Sequence, residues 1–556
     1  MSEAGRSGEE AAGEKTAVLI VGGGLTGLSA AIFLARHGTP VILVERHEGA
    51  LIHPRARTVN PRTAELFRQV GLEREIQSAR AFTGGRVIVH CDTLAGPEAR
   101  SSQMEPPEET SLVSPCSWIA IGQDRLEVIL RAGAERLGAD VRFGTELTGF
   151  ESDDDGVTAR IRDLPSGRES VVAARFLVVA DGAKSPIRRR MGIPVHGAGM
   201  LGHTVTFVFE ADLSEALRGR PVGLCHLGKP SPGVVLMPHD GDNRWLISFP
   251  FAPDKSDRPE TFTPEHAASL VRAAIGLPDL EVEIVPQLAD GTTNLDYDIA
   301  AFVAERFRDG PVFLAGDAAH SMPPAGAFGS GTGIQDAHNL AWKLAAVVAG
   351  RATTALLDTY EAERRPVALF TVEQATVKRE VNAGRASDEV RRRLHPSFRV
   401  IFGYRYPVDA GQGQGQGSGP DGDGDAESVG LLDGLPGTRA PHASVGFGGS
   451  TASTIDLYGQ RFVALTGRDA APWADELESA FAGLGIDVDV YRLGADLADP
   501  DDACAGAYRI GAEGAVVVRP DGMVAWRTAR SAGEAERQEL REAIARLMCP
   551  EQTVPV

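Results

Sequence analysis

Cysteine is scarce in this chain and never occurs in a functional spacing. Among 556 residues there are five, Cys91, Cys116, Cys225, Cys504 and Cys549, with no CxxC pair and no histidine at metal-ligand distance in sequence. A disulfide framework and a zinc site are thereby excluded, and a reducing cytoplasm is the expected setting. No stretch reaches the roughly 18 apolar residues that a membrane-spanning helix requires. The N-terminal MSEAGRSGEEAAGEK has no apolar core, so residues 1–14 read as a disordered tail and not as a signal peptide. Positive charge is also in short supply. With 56 Lys and Arg against 76 Asp and Glu, the net charge is −20, which argues against nucleic acid or an anionic membrane as partner. The runs Arg188-Arg189-Arg190 and Arg391-Arg392-Arg393 read as solvated helix faces. Apolar residues, at 43%, are ample for several cores in a chain too long for one, so two or three domains are expected.

Glycine, in contrast, is concentrated in three separated segments. The first, GGGLTG at Gly22 to Gly27, follows the apolar run Ala17–Val21 and precedes a helical pattern from Leu28 to His37. Gly22 permits the tight turn, Gly24 lets a pyrophosphate approach the helix N-terminus, and Gly27 lets helix and strand pack closely. A second strand, Pro40–Val44, ends in Glu45, 21 residues past Gly24 and placed to bind a ribose hydroxyl. With no base replacing that acid, the ribose lacks a 2′-phosphate, which both FAD and NAD satisfy. The other two segments favour the flavin. Phe176–Ala180 runs into Asp181 and Gly182, followed by Ser185 and Arg188. Val312–Ala315 runs into Gly316 and Asp317, whose carboxylate suits a ribityl hydroxyl. After His320 and the Pro323-Pro324 turn, a Gly-rich loop opens a long helix expected over Ile334 to Gly350. Its first turn offers unpaired N–H groups and a positive dipole end, suited to the N1–C2=O edge of a reduced flavin.

GDAAHSMPPAGAFGSGTGIQDAHNLAWKLA, HPRARTVNPRTAELFRQVGL and IGQDRLEVILRAGAERLGADV together resemble the class A FAD-dependent aromatic hydroxylases, the p-hydroxybenzoate and phenol hydroxylase fold, and most of all the bacterial polyketide hydroxylases. The resemblance is strong over residues 15 to 380. It implies an α/β fold: a Rossmann-like FAD-binding domain with an inserted substrate domain built on a mixed or antiparallel sheet. It also implies a noncovalent FAD held by Gly22, Gly24, Leu25, Thr26, Gly27, Glu45, Arg46, Arg55, Gln123, Asp181, Gly182, Asp317, Pro324, Gly329, Gly331 and Thr332. Arg55 would contact the phosphate or ribityl region and Gln123 the ring and ribityl chain, while Pro323 and Pro324 stiffen the loop beside the flavin. One departure stands out: many relatives carry Asn where this chain has Gly331, so a side-chain hydrogen bond from that position is absent. NADPH or NADH would act as a transient reductant, since no second complete nucleotide fingerprint is present.

The implied division is a cofactor domain of 15–80, 116–188 and 285–380, a substrate domain of 81–115 and 189–284, a helical connection at 381–408 and a flexible linker at 409–428. Alternation in 203–210 and 244–249 suits an antiparallel sheet with one covered face. Residues 429–556 show strand, helix, strand and a hairpin turning at Pro520-Asp521-Gly522, an order that resembles the thioredoxin-like C-terminal domain of the phenol hydroxylases. Without CxxC its role is structural or a homodimer contact.

In this family the flavin carries the chemistry, through a C4a-hydroperoxide attacked by an electron-rich aromatic carbon. The implied function is NAD(P)H- and O₂-dependent hydroxylation of a phenolic or polycyclic aromatic polyketide. Epoxidation, Baeyer–Villiger oxidation and antibiotic inactivation remain alternatives on the same scaffold, and a flavin-bearing ligand-sequestering protein is the non-enzymatic one. Halogenation is disfavoured by the missing WxWxIP pattern. His226, His239, Asp296 and Tyr297 are candidates for a substrate-side base on position alone. Trp118, Phe207, Phe209, Met237, Trp245 and Phe249 read either as cavity lining or as core. His320 reads as a loop-positioning residue.

Overall fold

The computed structural model describes residues 13–49, 56–80, 87–103, 110–239, 243–252, 262–288, 291–407 and 432–548. The N-terminal tail to residue 12, the whole linker at 409–428 and Arg55 lie outside the described residues. The first layer is a sheet in which Val312–Leu314, Glu169–Val179, Glu14–Val21, Val41–Glu45 and Asp140–Phe143 lie side by side in that order and run parallel. Its central strands are continuous apolar runs because both faces are covered, and Val18, Leu19, Ile20, Leu177, Val178 and Val179 are all buried. Two helices, Leu25–Arg36 and Gly329–Val348, pack against each other on this layer, with Phe33 edge-on to His338 at 4.7 Å. All three glycine segments consequently leave the carboxyl ends of neighbouring strands.

A second sheet has nine strands among the described residues and is largely antiparallel. Val195–Glu210 pairs with Arg244–Phe251, with Phe207 opposite Ile247 and Phe209 opposite Trp245. Val205, Phe207, Phe209, Trp245, Ile247 and Phe249 all pack with the helix Pro264–Ile275. Phe207, Phe209, Trp245 and Phe249 are therefore ordinary core. The other face is covered too: Thr204, Thr206 and Val208 are buried, and Gln287 Nε2 donates to the Thr206 carbonyl at 2.9 Å. A single covered face, as the alternation suggested, thus underestimates the burial. The strand Asn294–Ala304 pairs along Val195–Glu210 and then with His320–Ser321. Residues 294–304, which the sequence division groups with the cofactor domain, belong to this sheet and join it to the third glycine segment.

In the C-terminal part, Phe462–Thr466 lies between Val488–Arg492, parallel, and Ala515–Val518, antiparallel, with Val524–Thr528 at the edge. The helix Ala471–Ala482 connects the parallel pair, and the hairpin turns at the expected Pro-Asp-Gly with Gly522 at φ +76°. This turn is a plug. Arg519 donates to both oxygens of Glu363 at 2.6 and 2.9 Å, Lys343 Nζ lies 2.7 Å from Glu363 Oε2, and Asn339 Nδ2 donates to Asp521 Oδ2 at 3.2 Å. Lys343 and Asn339 come from the helix Gly329–Val348, and Glu363 from the helix Asp358–Asn382. Trp342 meets Phe462 edge-on at 5.9 Å, and Arg439 is paired with Glu65, both buried.

Removing one partner of a buried ion pair leaves an uncompensated charge, so Arg519→Met should lower the unfolding free energy by about 3–5 kcal/mol in a denaturant titration. A loss below about 1 kcal/mol would show that the plug is not a structural anchor. Burial alone would raise the Glu363 carboxyl, but Arg519 and Lys343 hold it at about 2 in place of 4.5. Because the folded value is depressed, this contribution is fully present above about pH 4.5 and is lost as pH falls toward about 2. Stability measured from pH 6 down to pH 3 should accordingly fall less in Glu363→Gln than in the parent.

Candidate active site

The first wall is a turn closed upon itself. Gly22 has φ +110°, and a Cβ there would collide with the Ala180 carbonyl of the neighbouring strand. A Cβ on Gly27 would collide with the carbonyl oxygen of Gly22, so the helix enters against its own turn as well as against the strand. Gly24 differs: the nearest atom to a Cβ there is Glu127 Oε1 at 3.8 Å, so the protein leaves that space open. The first intrahelical bond runs from Leu28 N to Gly24 O at 3.0 Å, which leaves the amides of Leu25, Thr26 and Gly27 without an intrahelical acceptor. Glu45 stands over the turn, accepting from Gly23 N at 2.6 Å and from His47 N at 2.9 Å. Arg46 beside it is exposed.

The first and third segments meet at Thr26. A Cβ on either Gly316 or Gly333 would collide with its hydroxyl oxygen, so both glycines of the third segment are conditions for docking against the first. The same closeness explains why the long helix begins at Gly329 and not at Ile334. Glycines of poor helix propensity are accommodated because contact, not propensity, selects them there. Gly331 and Thr332 are buried in the first turn, Gly329 is half-buried at its start, and a Cβ on Gly331 would collide with the Asn60 amide. Pro323 is buried, while Pro324 is exposed and accepts from Ala327 N at 3.0 Å.

Asp336, unassigned by sequence reasoning, organises this wall. Its Oδ2 accepts from Gly316 N at 3.1 Å and lies 2.7 Å from His320 Nε2, and its Oδ1 accepts from Arg364 Nε at 2.7 Å. Arg364 also donates to the Thr332 carbonyl at 3.1 Å. Burial alone would raise the Asp336 carboxyl, and Arg364 and His320 hold it below the usual range. His320 thus positions the loop, as expected. Asp317 projects to solvent between the buried Gly316 and Ala318.

In the second wall, Gly182 has φ +85° and Asp181 Oδ2 accepts from Ile187 N at 3.3 Å. Asp181 Oδ1 is buried with no protein partner, and burial raises this carboxyl. Arg188 is not on a solvated face. It is buried and donates to the carbonyls of Ala318 at 2.6 Å and Ala183 at 3.2 Å, tying the second wall to the third, while Arg189 and Arg190 are exposed. Arg391, Arg392 and Arg393 are exposed as expected. Gln123 Oε1 accepts from Ala56 N at 3.1 Å and its Nε2 donates to Glu127 Oε1 at 2.7 Å, so it anchors the chain directly after Arg55.

The candidate bases do not gather here. His226 stacks on His90 at 4.6 Å, and burial lowers its pKa to about 4. Its strand is five places from His320–Ser321 in the sheet, a span of about 24 Å. Asp296 is exposed opposite Val205, with Tyr297 opposite Thr204. His239 is nearer the cofactor side, since Arg57 donates to its carbonyl at 2.9 Å. Of the proposed lining residues, Trp118 packs with Phe328 and Met322 of the third segment, and Met237 is half-buried.

An open Gly24, an acid over the turn and an orphaned carboxylate oxygen on Asp181 fit a flavin dinucleotide. Residues 15–375 match the family described as FAD binding domain, and residues 433–550 the family described as aromatic-ring hydroxylase, C-terminal. The chain belongs to the FAD-dependent aromatic-ring hydroxylases. This hydroxylase is 41% identical to tetracenomycin A2 monooxygenase-dioxygenase of Streptomyces glaucescens, over 96% of its own length and 97% of the relative's. It is 40% identical to 4-methyl-5-nitrocatechol 5-monooxygenase of a Burkholderia species, over 96% and 97%. A solved ternary complex of aklavinone-11 hydroxylase with FAD and aklavinone superposes at a TM-score of 0.86 with 37% identity, covering 96% of this chain and 99% of that one. The hydroxylase is an FAD-dependent monooxygenase. No helix among its described residues is long and apolar enough to cross a membrane.

Gly24→Ala and Gly27→Ala should separate fold from cofactor. The first should leave the melting temperature of the apoprotein within a few degrees while lowering FAD content, because only the ligand needs that space. The second should lower both, by the collision with Gly22; equal behaviour of the two variants would contradict this assignment.

Proposed function

We propose that this hydroxylase is reduced by NADPH or NADH and inserts oxygen from O₂ into a phenolic or polycyclic aromatic polyketide. The observation that carries the reading is the convergence of Gly24, Asp181 and Asp317 at the carboxyl ends of adjacent parallel strands, where a dinucleotide binds in such sheets. Glu45 would hold the adenosine ribose, the amides after Gly24 the pyrophosphate, and Asp317 the ribityl chain. The amides at the start of the helix Gly329–Val348 would face the polar edge of the ring, where the dipole favours negative charge. Bound FAD, once reduced, supplies the activated oxygen. The protein's part is to hold the ring and exclude water. Ala327, at φ +55°, and the Pro323-Pro324 turn restrict the loop beside it. Asp181, with a buried unpaired oxygen, would receive a hydroxyl of the cofactor.

Relatives of nearly equal identity carry names for tetracenomycin A2 and for 4-methyl-5-nitrocatechol, so overall identity does not choose the substrate. The polyketide reading rests on the aklavinone complex and on the tetracenomycin relative. The latter's name, monooxygenase-dioxygenase, favours a second reading in which more than one oxygen atom is delivered. We assign the C-terminal part a structural role, through the Arg519 plug.

The purified protein should be yellow and release intact FAD on acid treatment. Asp317→Ala should weaken FAD about ten- to a hundredfold, the loss of a charge-assisted hydrogen bond of roughly 1.5–3 kcal/mol, measured by fluorescence titration. An aromatic polyketide should stimulate NAD(P)H oxidation, and mass analysis under ¹⁸O₂ counts the atoms gained. Label entering only from water would end the monooxygenase proposal.

A further inference from the structure

Asn60 occupies an unusual place. It ends the short strand Thr58–Val59 and caps the helix Pro61–Gln69, its Oδ1 accepting from Thr63 N at 2.8 Å. The cap uses only half of the amide. Asn60 is 4% exposed, yet its Nδ2 donates no hydrogen bond among the described residues. That nitrogen lies against Gly331, in the space that a side chain on Gly331 would fill. Gly331 is in the first turn of the helix Gly329–Val348, directly before Thr332 and five residues before Asp336, the two residues that Arg364 holds. An amide nitrogen carries two donor hydrogens, so this one is available to an acceptor on a ligand. Its position beside the first-turn amides, which also lack intrahelical acceptors, makes a joint donor cluster at one helix end.

We propose that Asn60 is a flavin-binding residue: its Nδ2, with the first-turn amides of Gly329–Gly331, donates to the carbonyl edge of the flavin ring. Gly331 lacks a side chain because the donor at this place is delivered from the other helix. This rests on the flavin reading above and adds to it a residue and a direction of effect. A donor at that edge stabilises the reduced, negatively charged ring more than the oxidised one. An acid at the same place does the reverse.

Asn60→Asp tests this, because Asp keeps the helix cap while it removes the donor and adds a negative charge. Relative to the parent, the apoprotein melting temperature should stay within a few degrees. The dissociation constant for oxidised FAD should rise about fivefold or more. The preference for reduced over oxidised flavin should fall about tenfold, a midpoint potential lower by about 30 mV for a two-electron couple. Gly331→Ala, which displaces the Asn60 amide, should move the potential in the same direction. An Asn60→Asp protein whose FAD affinity lies within twofold of the parent, with the same visible spectrum and potential, would overturn the assignment. A parent protein that binds no added FAD would overturn the flavin reading itself, so the two failures are distinguishable.

Discussion

The carboxylate of Asp336 is the constraint on which the cofactor side depends. It lies in the interior of the helix Gly329–Val348, fully buried, and it is shared among the Gly316 amide, His320 and Arg364. A buried carboxylate is tolerated only when paired and hydrogen-bonded, so all three partners must be in place together. That requirement holds the turn carrying Asp317, the loop carrying Pro323 and the start of the helix in one arrangement. Arg364 extends the arrangement to the Thr332 carbonyl and, at 3.1 Å, to the Tyr406 hydroxyl. The supports of the site are charged and buried.

A second charged layer lies further along the same helix. Lys343 and Asn339 meet Glu363, and the Arg519 turn of the C-terminal part completes the group. Ion pairs of this kind contribute little net stability over apolar packing, but they discriminate strongly against misplacement. The C-terminal part is therefore registered on the helix Gly329–Val348. Its lack of a CxxC pair is consistent with a part whose work is positional.

Much of the cofactor side was legible. GGGLTG with its flanking apolar runs, Glu45, and the two acids after Val179 and Leu314 all leave strands that the structure makes parallel neighbours. Local chemistry suffices there, because a tight turn needs glycine and a doubly covered strand needs an unbroken apolar run. Other readings failed or stayed open where one residue could serve two environments. Phe207 and Phe249 are apolar at strand spacing whether they face a ligand or a helix, and the helix Pro264–Ile275 decides for core. Arg188 sits in a basic run like Arg189, and only the Ala318 carbonyl makes it a buried strut. Asp336 was inside a quoted motif, but its partner Arg364 is 28 residues away and invisible to spacing.

The sequence by itself determined the class of cofactor, the apolar strands that run into its glycine segments and the hairpin at Pro520-Asp521-Gly522, since each follows from short-range sterics and periodicity. Tertiary structure alone decided that Thr26 excludes side chains from Gly316 and Gly333, that Asn60 fills the place beside Gly331, and that residues 294–304 belong to the second, largely antiparallel sheet. These are contacts between segments tens to hundreds of residues apart. Which atoms share a space is set by packing of the whole chain, and no local pattern encodes it.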